Sequence, residues 1–196
     1  RINAGSARPP DLVALREDLR SFPELFALLQ SEHKALQSIL EDWKNFENEL
    51  ELLENAISDD PPANINNIGI IRPGFSEELD QIMYSSKHAR EWINSLEANE
   101  RQRTGIKTLR VGFNKVFGYY IDISRGMADK APEEYIRKQT LVNSERYITP
   151  ELKEYESLVL NAETQIHEIE LKVFNQVCAQ LGKSSGELLE SSRKIA

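Results

Sequence analysis

One cysteine, Cys178, rules out an internal disulfide, and its place in a helical pattern reads as a small, buried apolar side chain. No apolar run approaches the roughly 18 residues that a membrane-spanning helix needs. The opening "RINAGSARPP" has no apolar stretch behind its arginine, so it does not read as a signal peptide. The three histidines, His33, His88 and His167, stand too far apart for metal-ligand spacing and read as surface or core residues. Acidic pairs such as Asp59–Asp60 and Glu133–Glu134 fall in loop-like sequence and read as solvated. These absences exclude a disulfide scaffold, a helical membrane span and the familiar hydrolytic or redox constellations. They point to a reducing cytoplasm. The chain begins in mid-pattern and ends on a helical "SSRKIA", as an excised piece would.

Positive charge is also in short supply. The 24 Lys and Arg against 32 Asp and Glu give a formal net charge of -8, which normally argues against nucleic acid as a partner. The distribution argues differently. Thr104 to Pro150 holds eight Lys/Arg and five Asp/Glu, whereas the remainder holds 16 and 27. This basic island coincides with the one β-like segment.

What is present is mostly helical. The 196 residues, 40% hydrophobic and 29% charged, suit one or two domains with exposed helices. Pro10 fits a first helical position ahead of Leu12, Leu15 and Leu19. Ser21-Phe-Pro-Glu24 has capping-box spacing and predicts a fresh helix start before Leu25, Phe26, Leu28 and Leu29. One or two further helices carry Leu36, Ile39, Leu40, Trp43, Phe46, Leu50 and Leu53. "SDDPPANINN" then breaks the pattern, and "IGIIRPG" is extended up to a Pro73-Gly74 turn.

Two apolar rows follow. Leu79, Ile82, Ser86, Ala89, Ile93, Leu96 and Glu100 are spaced alternately by three and four. So are Leu152, Tyr155, Val159, Ala162, Ile166, Ile169 and Val173. Thr149 is an N-cap, with Pro150 at the first helical position and Glu151 favourable at the dipole. Rows of equal length on either side of a compact insert predict an antiparallel pair, an arm on the order of 30 to 40 Å long. Leu96 to Glu100 would lie near Leu152, and Leu79 near Val173. Ordinary core packing is the favoured account of these rows, and their equal length is what suggests an arm. Trp43 and Trp92 read as core.

Between Gly105 and Ile148 the period is two. Leu109, Val111 and Phe113 share one face, and Phe117, Tyr119, Ile121 and Ile123 share another. Asn114-Lys115 reads as a hairpin turn, and "NSE" at Asn143 as a second, giving about four antiparallel strands. If each strand runs out from the arm and back in chain order, both turns point away from it. That places Lys115 and Asn143 at a tip, backed by Asn114, Lys107, Arg110, Arg137, Lys138 and Arg146. Arg125 and Lys130 would sit near the arm and matter less. Lys, Arg and amide groups at a tip suit phosphate contacts, and no helix resembles a major-groove reader. On composition alone, cations that merely keep a small sheet soluble and its edges protected are the favoured account. Tyr119, Tyr120, Tyr135 and Tyr147 read as packing residues rather than base-stacking ones.

The segments "RTGIKTLRVGFNKVFGYYIDISRG" and "YIRKQTLVNSERYITPELKEYE" resemble the clamp of the MutS family of DNA mismatch repair proteins, bacterial type. "GSARPPDLVALREDL" and "IIRPGFSEELD" resemble that family's core and lever helices. The resemblance implies a homodimeric, ATP- and magnesium-dependent mismatch sensor that works with other mismatch repair proteins. Its levers carry clamps that grip the backbone of double-stranded DNA. This sequence departs from the family at several points. It holds no Gly-x-x-x-x-Gly-Lys-Ser/Thr loop, so no ATPase site and no cofactor are expected within it. The family's Phe-x-Glu wedge is missing, Val142 stands where many relatives have Lys, and Pro10 stands where Arg is common.

The expected fold is therefore α+β, mainly α: a helical core and a long antiparallel two-helix lever carrying a small antiparallel β-sheet clamp. Residues 1–103 would form core helices and the first lever helix, 104–149 the clamp, and 150–196 the returning helix. The expected role is a non-enzymatic lever and clamp fragment, cytoplasmic and nucleoid-associated, with no membrane contact. The alternative is a coiled-coil scaffold that docks a protein partner and uses the β head as a cap.

Overall fold

The computed structural model describes residues 1–30 and 43–195. They fall into two compact units, Arg1–Asp80 with Ile166–Ala196, and Gln81–Gln165. The helices are α1 (Pro9–Gln30), α2 (Glu47–Ala56), α3 (Glu77–Thr104), α4 (Pro150–Lys183) and α5 (Ser185–Ile195). The strands are β1 (Arg110–Asn114), β2 (Gly118–Ser124), β3 (Ile136–Thr140) and β4 (Ser144–Ile148), with a 3-10 helix at Arg125–Lys130. The class is α+β, mainly α, as the patterning predicts. Leu36, Ile39, Leu40 and His33 lie outside the described residues.

In the first unit, α1 opens on Pro9 and Pro10, in the first turn where an N–H has no intrahelical partner. The expected restart at Ser21 does not occur. Helix α1 runs through Pro23, and the Ser21 hydroxyl donates to the Asp18 carbonyl at 2.7 Å instead of capping a new helix. The unit buries Leu12, Leu19, Leu53, Ala56, Phe174, Val177 and Leu181. Buried Arg16 donates to the Ile57 carbonyl at 2.9 Å. The expected extended segment forms one antiparallel bridge, Ile57 with Ile71. Buried Glu170 holds it by accepting the N–H groups of Gly69 (2.8 Å) and Ile71 (3.1 Å). Glu78 and Lys172 pair at 3.0 Å, bringing the start of α3 beside that part of α4.

In the second unit, Ile93 and Leu96 of α3 share a core with Leu152 of α4, Ile106, Leu109, Ile121, Ile123, Tyr135 and Tyr147. Trp92 stacks on Tyr155 with ring centroids 4.2 Å apart, while Leu96 and Glu100, later on α3, face the same cavity as Thr149 and Pro150 at the start of α4, so these helix stretches run antiparallel. The Thr149 hydroxyl accepts the Leu152 N–H at 3.0 Å, the cap the sequence predicts. Both predicted apolar rows are the buried faces of their helices, with Ser86 6% exposed among them.

The sheet is antiparallel with spatial order β1-β2-β4-β3. Its direction departs from expectation. Helix α3 ends on Gly105, whose φ of 71° sends the chain back the way it came, its N–H bonded to the Arg101 carbonyl at 3.0 Å. Strand β1 then runs back along α3: Arg101 donates to the Leu109 carbonyl (2.6 Å), and Glu97 accepts the Val111 N–H (3.0 Å). Those two helix side chains cover an otherwise open sheet edge. The register pairs Asn114 with Gly118 at one end and Ser124 with Ser144 at the other. The two hairpin turns therefore lie at opposite ends of the sheet and do not share a tip.

Candidate nucleic-acid interface

Residues 115–117, the β1–β2 turn, are fastened to α4. Lys153 donates to the Phe117 carbonyl at 2.7 Å and to both Glu156 oxygens at 2.9 and 3.0 Å. Glu156 in turn accepts the Tyr119 N–H at 2.6 Å. Gly118, at φ 80°, makes this possible, because a Cβ there would sit 2.3 Å from the Glu156 carboxylate. Lys115 projects from this fastened turn, exposed and with no side-chain partner among the described residues. The Asn114 side chain turns inward to accept the Val116 N–H at 2.8 Å, so it is occupied locally.

The opposite end of the sheet gathers different residues. The Arg125 N–H donates to the Asn143 carbonyl at 3.0 Å, which ties the 3-10 helix to the β3–β4 turn. Thr108 and Ser124 hydroxyls bond each other at 2.8 Å, and the Ser144 hydroxyl donates to Asp122 at 2.9 Å. Lys107, next to Thr108, is exposed, as are Arg125, Asn143 and Val142, the last at 83%. Lys107, Arg125 and Asn143 thus share one end with three hydroxyls, whereas Lys115 and Asn114 sit at the other. Arg125 was placed near the arm by the sequence pattern, and the register moves it to the open end.

The strand cations are held to different degrees. Arg110 is exposed on β1 opposite Asp122. Lys138 is exposed at the irregularity between Arg137 and Gln139 on edge strand β3, where a bulge and a lysine discourage further strand pairing. Arg137 is 63% exposed and lies 3.5 Å from Glu145. Arg146 is committed inside the sheet. Its guanidinium lies 4.2 Å over the Tyr120 ring, donates to Gln139 at 3.0 Å and stands 3.5 Å from Asp122. Gly112 leaves room for Tyr120 to lie across β1, since a Cβ there would be 2.7 Å from the ring. Of the four tyrosines, Tyr147 on β4 and Tyr135, just ahead of β3, are buried, and Tyr119 packs against the core.

Two buried phenols set the local electrostatics. Tyr147 donates to Glu145 at 2.7 Å. Burial first, and then that carboxylate, push the phenol up to about 12. Glu145 is held below the usual carboxylate range by the same hydroxyl, with help from Arg137 and Arg125. Tyr135 is raised by burial and by its bond to Glu100, which also pairs with Arg103 at 2.7 Å. His88 packs between Tyr84 and Tyr155, and His167 meets the Ile65 carbonyl at 3.1 Å. Among the described residues no group of three or more His, Cys, Asp or Glu could hold a metal ion. Among the described residues no helix is long and apolar enough to cross a membrane.

Comparison with known proteins decides the family. Residues 74–165 match the family model described as MutS family domain IV. The chain belongs to the MutS family. Over its whole length it is 44% identical to the DNA mismatch repair protein MutS of Salinibacter ruber, covering 22% of that protein. It is 42% identical to the protein of that name from Acetivibrio thermocellus and 43% identical to that from Thermotoga petrophila, covering 23% and 24%. The chain thus spans under a quarter of the length of these MutS relatives. Domain IV contains the whole sheet and the helix stretches packed on it.

The sequence pattern missed Arg125, Thr108, Ser124 and Ser144 as members of one cluster. The available signal was Gly105. A glycine directly after a predicted helix marks a left-handed cap that reverses the chain, which would have turned β1 back along α3.

Proposed function

We propose that the open end of the domain IV sheet grips the backbone of duplex DNA without reading its sequence, as one part of a longer mismatch repair protein. The observation that carries this reading is the convergence of Lys107, Arg125 and Asn143 with three hydroxyls at one end of the sheet. The names of the MutS relatives supply the substrate class. Cations neutralise phosphates and release counterions, while amide, hydroxyl and backbone donors fix position. Among the described residues the open end presents turns and a 3-10 helix, and no long helix that would enter a major groove. In the longer protein this grip would serve as a clamp on a helical lever, in a dimer driven by ATP and magnesium bound elsewhere.

Binding of the full chain to a labelled 30-base-pair duplex tests the reading. With about three phosphates engaged, log K falls against log salt with a slope of about -3. Affinity is the same for duplexes of unrelated sequence. A salt-independent affinity, or a strong preference for one sequence, overturns it. So does capture of a protein partner with no measurable affinity for DNA.

A further inference from the structure

Glu145 is an acidic residue inside the most basic part of the chain. It stands on β4, two residues from the Asn143 turn, and is only 9% exposed. Its Oε2 accepts the Tyr147 hydroxyl at 2.7 Å and lies 3.5 Å from an Arg137 guanidinium nitrogen. Charged and polar groups face Glu145 and Tyr147 from three elements, while β2 pairs with Glu145 through apolar Ile123. The 3-10 helix supplies Arg125 and Asp129, β3 supplies Arg137, and β4 supplies the Tyr147 hydroxyl. Arg137 is paired with Tyr147 in the register, so its side chain must lean along the sheet toward the open end to reach Glu145.

A 63% exposed arginine in a long ion pair is free to leave. A phosphate at the open end offers its guanidinium a charge-assisted, bidentate partner, which the 3.5 Å contact with Glu145 is not. Glu145 loses little in that exchange, because the Tyr147 hydroxyl stays with it.

We propose that Glu145 is a competitor for the DNA phosphate. It holds Arg137 in reserve at the inner face of the sheet, and DNA must draw the guanidinium away, so Glu145 sets an upper limit on the affinity of the grip. This rests on the duplex-binding reading above. It explains why a buried acid stands among the candidate phosphate ligands, where a neutral residue would leave the end more basic. Glu145 is a positioning residue and touches no DNA.

Glu145→Gln keeps an oxygen for the Tyr147 hydroxyl and removes the charge. With the full chain and duplex DNA at low salt, Glu145→Gln tightens binding by about two- to fivefold, the range of an exposed ion pair. The salt slope steepens toward one further phosphate. In an Arg137→Ala background the same change gives no gain, because the coupling is lost. A merely structural Glu145 gives a different pattern: unchanged or weaker binding on Glu145→Gln, equal in both backgrounds, and that result overturns the proposal. If Glu145→Gln does not fold, the Arg137 Nε–Hε resonance of the unmutated chain decides. It shifts on addition of duplex if the guanidinium changes partner, and a resonance that stays in place while the duplex binds overturns the exchange. Should the unmutated chain bind no duplex at all, the functional reading fails, and this proposal falls with it.

Discussion

Replacing Gly118 by alanine perturbs the fastened turn at a point where two independent costs can be worked from the geometry. The backbone stands at φ 80°, where an L side chain costs about 1–2 kcal/mol. The new Cβ would also fall 2.3 Å from the Glu156 oxygens. Glu156 must then move, and the Tyr119 N–H, now bonded to it at 2.6 Å, loses its acceptor, at about 1–3 kcal/mol. Together these cost about 2–5 kcal/mol, about a 30- to 3,000-fold rise in the opening equilibrium at 1.4 kcal/mol per tenfold. Amide hydrogen exchange of Ile121 and Ile123, buried on β2 beside this turn, reads that opening directly. A cycle separates the costs: with Glu156 already replaced by alanine, Gly118→Ala should cost only the backbone part, about 1–2 kcal/mol. Exchange that changes less than about threefold in Gly118→Ala refutes the reasoning. An equal cost in both backgrounds shows that the Glu156 contact is not what the glycine protects.

Two further outcomes follow from groups the fold buries. Glu170→Ala leaves the Gly69 and Ile71 N–H groups without their acceptor and costs about 2–4 kcal/mol in a urea melt, while Glu170→Gln costs less. A loss under about 0.5 kcal/mol means that water replaces the carboxylate there. In alkaline solution the fold holds Tyr147 protonated up to about 12 and raises Tyr135 as well, whereas the unfolded chain ionises its phenols near 10. The stabilisation is complete below pH 10 and is lost as pH rises from there through about 12. Absorbance at 295 nm should therefore show two of the six phenols titrating only as the far-ultraviolet circular dichroism collapses. Six phenols titrating together near pH 10 with the fold intact contradict their burial.

How much was legible beforehand depended on whether the signal was local. The three-four rows of α3 and α4, the Thr149 cap and the Asn114 turn each follow from residues within a few positions of one another, and each stands in the structure. The class and the number of strands followed from the same periodicity. Strand direction did not. It depends on one residue, Gly105, where a left-handed cap sends β1 back along α3, and without that reversal both turns fall wrongly at one end. Ser21-Phe-Pro-Glu24 misled because a capping box and a helix interior offer the same hydroxyl different partners, and here it takes the Asp18 carbonyl. The candidate cations were found by charge, which cannot say which are spent. Arg146 is committed to Tyr120, Gln139 and Asp122 through contacts between three strands, and no sequence spacing announces them.

The central claim is that the open end, and not the fastened turn, meets DNA. Fluorescence anisotropy of a labelled duplex with the full chain tests it through three charge reversals, Arg125→Glu, Lys107→Glu and Lys115→Glu. All three residues are exposed, so their folds should survive. Arg125→Glu and Lys107→Glu should each weaken binding and reduce the salt slope by about 1, while Lys115→Glu should leave both nearly unchanged. A larger loss from Lys115→Glu than from Arg125→Glu would contradict the account.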